Sequence, residues 1–320
     1  MAQQPVVRIG TRGSKLALTQ AGWVQRKIAA ALGVAAEDAD KVAPLVVITT
    51  TGDRVQDRRL LEIGGKQLFT KEIEEALLAG RIDCAVHSLK DMPAELPPGL
   101  VIGAIPERED PRDAFVCASA ERLEQLPQGA ALGTASLRRQ AQALHRRADL
   151  RMVNLRGNVD TRLAKLDAGE ADGIVQALAG LKRLGLEHRV RSILDPVEQP
   201  PAPGQGALAI EVRDEDLAAE RAWLTALVHA PSTLTVAAER GALTALEGSC
   251  KTAIGAHAKI DGRRLTLVVE ALTPDGAARF RRQDDIDVGG DVGAAETAAR
   301  ALGLRLGDAV RAEGGSALEL

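Results

Sequence analysis

The feature that most constrains the fold is an alternation of short apolar runs with amphipathic segments over the first two thirds of the chain. Residues 6–10 and 45–50 are short runs rich in Val and Ile, which predict buried strands. Residues 14–32 and 70–79 carry apolar side chains at helical spacing, and Gly80 ends the second segment. Strands that alternate with helices predict an α/β fold with mainly parallel sheets.

The last third of the chain follows a different pattern. It begins with two helical stretches, at residues 214–228 and 232–246, which lead to a loop that contains Cys250. Short turns that contain Gly join the strands that follow, and this is typical of hairpins. The sequence therefore predicts a small α+β domain with a three-stranded antiparallel sheet. Its strands are expected at residues 253–260, 265–272 and 278–283, and its last helix at 294–312.

A weak internal repeat lies within the α/β part. The string AGRIDCAVHSL at residues 79–89 aligns with AGEADGIVQAL at 168–178, and GTRGS at 10–14 resembles GTAS at 133–136. Each short string closes a strand and opens a helix. Two related half-domains are the economical interpretation, and chance similarity between βα units is the alternative.

Composition and charge exclude several classes of function. The net charge of -3 argues against general nucleic-acid binding, which needs a cationic surface. With two Trp, three Phe and no Tyr, the chain is poorly equipped to stack bases. We find no secretory signal, no long apolar stretch and no histidines at metal-ligand spacing. The expectation is a soluble cytoplasmic protein with no metal, no membrane partner and no nucleic-acid partner.

The three cysteines are too far apart for a disulfide framework or a zinc site. Cys84 and Cys117 lie in apolar strand patterns and are expected to be core thiols. Cys250 lies between Ser249 and Lys251 on a loop that contains Gly, and a neighbouring Lys favours a thiolate. A covalent role for Cys250 and an inert thiol are both open on this evidence.

Cationic and hydroxyl side chains follow the ends of several predicted strands. Ligands of α/β lobes bind at the carboxyl ends of the strands, and arginine holds carboxylates in bidentate pairs. An anionic ligand with several acidic groups is implied, although each arginine could instead be a solvated helix residue. Asp91 is the exception: it could stabilise a cation or move a proton, or it could be a salt-bridged loop residue. The set is Arg12, Ser14, Lys15, His87, Ser88, Lys90, Ser136, Arg138, Arg139, Arg156, Arg162, Lys182 and Arg183.

Several longer strings form a specific pattern. They include HSLKDMP at residues 87–93, GTASLRRQ at 133–140, LRGNVDTRL at 155–163 and LEGSCKTAIG at 246–255, and they closely resemble those of porphobilinogen deaminases. EREDPRDAF, AGLKRLG and PAPGQGA belong to the same pattern. The resemblance runs in order from Arg8 to about Gly255 and is highly specific. The remaining residues agree with the family in the order of their predicted elements more than in their sequence.

The resemblance implies two lobes similar to type II periplasmic binding proteins, followed by the C-terminal α+β domain. It implies domain 1 at residues 1–106 and 207–225, domain 2 at 112–200 and domain 3 at 230–320. It also implies a monomer. The two lobes agree with the internal repeat.

The resemblance further implies that a dipyrromethane cofactor is attached to Cys250 through a thioether. Four porphobilinogens would be added head to tail with loss of ammonia, and water would release hydroxymethylbilane. Asp91 matches the catalytic carboxylate of the family. The residues implied to bind the cofactor are Cys250, Lys90, Asp91, Ser136, Arg138 and Arg139, and those implied to bind substrate are Arg12, Ser14, Lys66, Phe69, Arg156, Arg162 and Arg183.

A few departures from the family pattern fall near the predicted site. Glu62 stands where many relatives have Lys, and Gln67 where Gly is usual. We interpret residues 54–69 as a mobile flap. Because position 62 is Glu, a salt bridge that relatives form through Lys at this position is in doubt here. Ser249 and Ala253 also depart from the pattern around the cysteine. The competing functions are a non-enzymatic solute-binding protein and, less favoured, a ligand sensor.

Overall fold

The structure is a computed structural model that describes residues 6–54, 69–219, 221–246 and 252–318. The chain divides into two compact units. The first comprises Met1–Arg108 and Ala207–Thr233, and the second comprises Glu109–Gly206 and Leu234–Leu320. The three domains expected from the family resemblance stay a prediction.

The first unit is built on a five-stranded sheet in the order β2-β1-β3-β10-β4. Strand β1 runs parallel to β2 and β3, whereas β10 runs antiparallel to β3 and β4. Four of the described strands therefore run in one direction and β10, from much later in the chain, runs in the other, so the prediction of a mainly parallel sheet is confirmed. The strands are β1 (Ile9–Thr11), β2 (Leu45–Val47), β3 (Cys84–Ser88), β4 (Leu100–Ala104) and β10 (Leu208–Arg213).

Helices of the first unit cover this sheet. Helix α1 (Lys15–Ala31) packs Val24 and Ile28 against Ile9 of the sheet, and burial of this apolar face stabilises the unit. Helix α4 (Lys71–Leu78) ends just before Gly80, whose φ of 64° suits a residue without Cβ. Both predicted helices are confirmed. The shorter helices are α2 (Ala39–Val42), α3 (Thr51–Arg54), α8 (Asp214–Ala218) and α9 (Ala222–Thr225).

The predicted helical stretch at residues 214–228 is divided into α8 and α9. Arg221 has extended backbone angles of -63° and 119°, which interrupt the helix. Its guanidinium donates to Asp216 Oδ1 at 2.9 Å from Nε and at 2.6 Å from Nη2. This ion pair fixes a turn that helical periodicity alone does not reveal.

The second unit contains a sheet with the same arrangement of strands, β7-β6-β8-β5-β9. Strand β6 runs parallel to β7 and β8, and β5 runs antiparallel to β8 and β9. The two sheets repeat one plan, as the internal sequence repeat predicts. Their elements are β5 (Asp113–Cys117), β6 (Ala131–Gly133), β7 (Arg151–Val153), β8 (Gly173–Ala177), β9 (Ser192–Ile193), α5 (Leu137–Arg146), α6 (Val159–Asp167) and α7 (Leu178–Arg183).

The C-terminal part of the second unit contains the expected three-stranded antiparallel sheet, in the order β11-β12-β13. The turns at Gly262 and Gly276 have φ values of 57° and 72°, as the Asp-Gly signals predict. Two long helices pack on one face around Leu267 and Leu302. The fold class of α/β lobes with a C-terminal α+β domain is confirmed. The elements are α10 (Ala230–Leu246), β11 (Ala253–Asp261), β12 (Arg264–Leu272), β13 (Arg279–Asp287) and α11 (Val292–Gly314).

Helices α10 and α11 approach closely through glycine. A Cβ at Gly303 would lie 2.0 Å from the backbone oxygen of Ala238, and one at Gly241 would lie 2.3 Å from the backbone oxygen of Arg300. Backbone atoms cannot swing aside as a side chain can. The approach therefore fixes α10, the helix that ends at Leu246, shortly before Cys250 in the sequence.

We predict that Gly303→Ala destabilises the protein by about 1–3 kcal/mol, because the methyl group forces the two helices apart. Gly293→Ala is the control: it lies in the exposed first turn of α11, where the nearest atom would be a carboxylate oxygen at 3.3 Å. Chemical denaturation of both variants measures the difference. Equal stabilities would contradict the close-packing account.

Candidate functional site

The candidate site of the first unit lies at the carboxyl ends of β1 and β3. Because these strands are parallel, the residues that follow them meet at one edge of the sheet. A short 3₁₀ turn, Leu89–Asp91, follows β3 and brings Asp91 to this edge. A cavity opens there, and its lining includes Arg12, Ser14, Phe69, His87, Ser88 and Asp91.

Arg12 is held in place from two sides. Its Nε donates to Asp53 Oδ1 at 3.1 Å, and its guanidinium carbon lies 4.3 Å from the centre of the Phe69 ring. Burial raises the pKa of Asp53, but hydrogen bonds from Arg12 and Thr50 outweigh it and hold the pKa below its usual value. Arg12 is thus a fixed cation at the cavity, with its ring contact supplied by Phe69.

Ser14 caps helix α1, and its Oγ accepts a hydrogen bond from the backbone N–H of Ala17 at 3.3 Å. The first turn of a helix presents unpaired N–H groups and the positive end of the helix dipole. Ser14 therefore combines a hydroxyl with a backbone environment that favours anions at the cavity. Together with Arg12, it gives one side of the cavity a positive character.

Sequence reasoning missed Gln20, which lines the same cavity and is buried. Its Nε2 donates to Ser88 Oγ at 3.0 Å, so α1 and the end of β3 are joined by a polar pair. A signal for it exists in the sequence, because Gln20 stands on the apolar face of α1 beside Ala21 and Val24. A polar residue at such a position needs a partner.

In the second unit, a buried carboxylate organises the residues after β6. Asp113 Oδ2 accepts from Arg138 Nη1 at 2.8 Å, and Asp113 Oδ1 accepts from Arg139 Nη2 at 2.8 Å. Burial raises the pKa of Asp113, but the charges and hydrogen bonds of the two arginines hold it far below its usual value. Gln205 also donates to Asp113 Oδ1, at 2.9 Å.

This pairing bears on the expected cofactor-binding roles of Arg138 and Arg139. Both side chains are buried and already hold an internal carboxylate. Burial lowers the pKa of Arg138 despite the opposing charge of Asp113, so this cation is costly to maintain. Its buried Nε has no hydrogen-bond partner among the described residues, which leaves one donor for a further acceptor.

The other predicted residues of the second unit also follow strand ends. Ser136 caps helix α5 and accepts from the N–H of Arg139 at 3.4 Å. Arg156 follows β7 and has a buried Nη1 without a hydrogen-bond partner in the described part of the chain. Arg162 lies on α6 and is half-buried. Parallel pairing of β6 with β7 places Ser136 and Arg156 beyond the same edge of the sheet.

Arg183 has a local partner. It lies at the end of α7, and its Nη2 donates to the backbone oxygen of Gly206 at 2.7 Å. Burial lowers the pKa of Arg183, with the charge of Glu109 opposing the change. The neighbouring Lys182 binds Glu109 Oε1 at 2.9 Å. Both side chains therefore hold the segments at the boundaries of the second unit.

Some predicted residues lie outside the described ranges: Cys250, Lys66, Glu62, Gln67, Ser249 and most of the expected flap at 54–69. Cys84 and Cys117 are buried thiols, as predicted. Burial raises the pKa of Cys84, which makes it a poor nucleophile. Lys90 lies in the turn beside Asp91 and is half-buried. Ala253 packs against Ala141 and Leu272.

The fold and the sites define an α/β protein that pairs fixed cations with a carboxylate at the strand ends. The chain belongs to the porphobilinogen deaminase family. Residues 7–221 match the family described as "Porphobilinogen deaminase, dipyromethane cofactor binding domain", and residues 233–312 match "Porphobilinogen deaminase, C-terminal domain". The chain is therefore an enzyme of the kind that carries a dipyrromethane cofactor.

Curated relatives agree over the full length. Porphobilinogen deaminase of Caulobacter vibrioides strain NA1000 is 66% identical over 324 residues, which cover 100% of this chain and 99% of the relative. That of Phenylobacterium zucineum strain HLK1 is 65% identical over 325 residues, with both chains covered completely.

Two solved structures are similar at low sequence identity. The methionine binding protein MetQ is 15% identical, with a TM-score of 0.43, and the match covers 70% of this chain and 91% of that chain. A periplasmic substrate-binding protein from Coxiella burnetii is 17% identical, with a TM-score of 0.44 and coverage of 73% and 97%. In the described part of the chain, no helix is both long and apolar enough to cross a membrane.

We predict that Asp113→Asn costs about 3–5 kcal/mol of unfolding free energy, because it leaves two buried guanidinium groups without their counter-charge. In the wild type, the pKa of Asp113 is lowered in the folded state, so its contribution is present above the unfolded-state pKa and is lost as the pH falls. Denaturation at several pH values tests both points. Asp167→Asn, which removes the exposed partner of Arg189, should stay near wild type. A similar stability of Asp113→Asn and wild type would contradict the account.

Proposed function

We propose that this chain joins four porphobilinogen molecules head to tail on a covalently bound dipyrromethane, releasing ammonia at each addition. Hydrolysis then releases hydroxymethylbilane. Within this proposal the chain acts as a cytoplasmic monomer, which its membership of a biosynthetic family favours. Porphobilinogen is the small-molecule partner.

The observation that carries the proposal is the mixed charge of the first unit's cavity. Asp91 lies there together with Arg12 and the capped start of helix α1. Porphobilinogen has two carboxylates and an aminomethyl group, and a cation develops on its ring when ammonia leaves. A site for it must therefore hold anions and stabilise a cation within a short distance, and these residues supply both functions.

The residues of the chain also suit the dipyrromethane group. Its carboxylates need several donors, and the buried, unpartnered Nη1 of Arg156 and Nε of Arg138 are donors that the described residues do not satisfy. Ser136 adds a helix start at the same edge of its sheet. We propose that Lys90, Ser136, Arg138 and Arg139 hold this group. For Arg138 and Arg139, this contact would be made in addition to their ion pairs with Asp113.

The substrate would be held by a second set of side chains. Carboxylates of the added pyrroles would bind Arg12, Ser14, Arg156, Arg162 and Arg183, and Lys66 and Phe69 complete this proposed set. Arg12 is positioned in advance by Asp53 and Phe69, so little side-chain entropy is lost when it binds. Arg183 would have to bind substrate while it still holds the Gly206 carbonyl.

Asp91 is the proposed catalytic residue. Its carboxylate would accept hydrogen bonds from pyrrole N–H groups and stabilise the azafulvenium cation that forms as the C–N bond breaks. When bound, the dipyrromethane supplies the free pyrrole α-carbon that attacks this cation. Cys250 would serve as an anchor through a stable thioether, so it needs no neighbouring base.

The first test is the intact mass of the denatured wild type beside Cys250→Ala. We predict a two-pyrrole adduct on the wild type and the unmodified mass for the variant, with circular dichroism showing that the variant is folded. Cys117→Ala is the matched control, because Cys117 is buried and should carry no adduct. An unmodified wild type after incubation with porphobilinogen would refute the proposal and favour a binding protein.

A second prediction concerns Asp91→Asn, which keeps the size of the side chain and removes its charge. Ammonia release should fall by about 10²- to 10⁴-fold, since the carboxylate acts on the developing cation. Asp91→Glu should keep part of the activity. The control Asp195→Asn changes a carboxylate of the second unit that accepts from the backbone N–H of Val197. Rates within threefold of wild type for Asp91→Asn would show that another group stabilises the cation.

A further inference from the structure

Three titratable side chains lie together in the interior of the first unit. His87 on β3 and Glu211 on β10 form a buried pair, with Nε2 of the imidazole 2.9 Å from Oε2 of the carboxylate. Their side chains are 5% and 0% exposed. Glu74 on α4 is also buried, and its pKa responds to the charges of both His87 and Glu211. The three groups therefore form one electrostatic network.

Stability alone does not account for this network. Moving a carboxylate and an imidazole out of water costs free energy that their attraction only partly recovers. The second oxygen of Glu211, Oε1, has no hydrogen-bond partner among the residues that the structure describes. The core on this face of the sheet consists of residues such as Ile73, Leu77 and Ala85. An apolar side chain at these positions would suit that core better.

The network adjoins the candidate site. His87 lines the cavity that contains Asp91, and β3 carries the chain from His87 to Ser88 and then to the 3₁₀ turn of Asp91. The charged groups that the structure places around His87 are Glu211 from β10 and Glu74 from α4. Asp91 and Arg12 share the cavity with it. The network is thus connected to the cavity through a single imidazole.

The proposed reaction needs a place for a proton between two steps. Each addition breaks the C–N bond of an aminomethyl group and forms a C–C bond to a free pyrrole α-carbon. The C–H bond of that α-carbon then breaks, its electron pair restores the aromatic ring, and its proton must ultimately reach the ammonia that has left. The overall reaction consumes no oxidant and no net proton, but it requires a group that accepts this proton temporarily.

We propose that Asp91 takes this proton from the α-carbon and passes it to His87, which Glu211 holds in place and which keeps the proton at the cavity until the ammonia takes it up. The inference rests on the proposed function. Glu211 orients the imidazole, and Glu74 adds a second carboxyl group in the same interior. Asp91 remains the group that contacts the substrate.

The test compares His87→Gln, Glu211→Gln and the double variant in the full-length, adduct-bearing enzyme. Each single change keeps a hydrogen-bonding side chain of similar size and removes one titrating group. We expect ammonia release to fall by about 10- to 100-fold in each, with one limb of the pH–rate profile lost and KM little changed. Because the pair acts as a unit, the double variant should be no slower than the slower single variant. His188→Gln, at an exposed histidine, should match wild type.

A second readout does not depend on activity. Burial raises the pKa of Glu74 and outweighs the opposing effect of Thr70, and the charge of Glu211 adds a smaller increase that the charge of His87 opposes. A carboxyl group whose pKa is raised on folding stabilises the protein at low pH, and that contribution is lost as the pH rises above its ordinary value. The melting temperature of the wild type should therefore fall as the pH rises through this range. This part of the fall should be absent in Glu74→Gln.

The outcomes separate the two claims. No ammonia and no adduct from the wild type would overturn the proposed function, and the inference with it. An active wild type with an unchanged pH–rate profile in both His87→Gln and Glu211→Gln would overturn the inference alone. A lower melting temperature with an unchanged profile would mean a purely structural pair. Should His87→Gln fail to fold, Glu211→Gln still tests the claim, because it leaves the imidazole in place.

Discussion

The buried carboxylate of Asp113 is the interaction on which the second unit depends. It joins β5 to the first turn of α5 through Arg138 and Arg139, and Gln205 adds the connector that leads back to the first unit. Arg138 also donates to the backbone oxygen of Pro200 at 3.1 Å. One charge thus fixes the strand, the helix and the connector, and the start of α5 is where Ser136 is placed.

In the first unit, too, side chains of the candidate site are held by neighbouring side chains, but here they line an open cavity. Asp53 and Phe69 hold Arg12, Gln20 holds Ser88, and Glu211 holds His87. Arg12, Ser88 and His87 are therefore each positioned by a neighbouring side chain. Such support lowers the entropy that these side chains lose when a ligand binds.

Much of the fold could be predicted from the sequence, because strand β1, helix α1 and the C-terminal hairpins carry local signals. The mixed sheets could not, since β10 pairs with β3 across more than a hundred residues and its direction leaves no local trace. Strand-end positions correctly indicated Arg12, Ser14 and Asp91 at one cavity. The Asp113 pairing and the buried Glu211 were missed, because long-range ion pairs have no sequence spacing. The roles of the site residues, including Cys250, stay predictions.

The most direct test of the central claim is the stoichiometry of turnover by the purified wild-type protein, with porphobilinogen consumed, ammonia released and linear tetrapyrrole formed measured in one reaction. The account predicts one ammonia for each porphobilinogen and one tetrapyrrole for every four. Binding of porphobilinogen without ammonia release, or ammonia release without a tetrapyrrole, would contradict it.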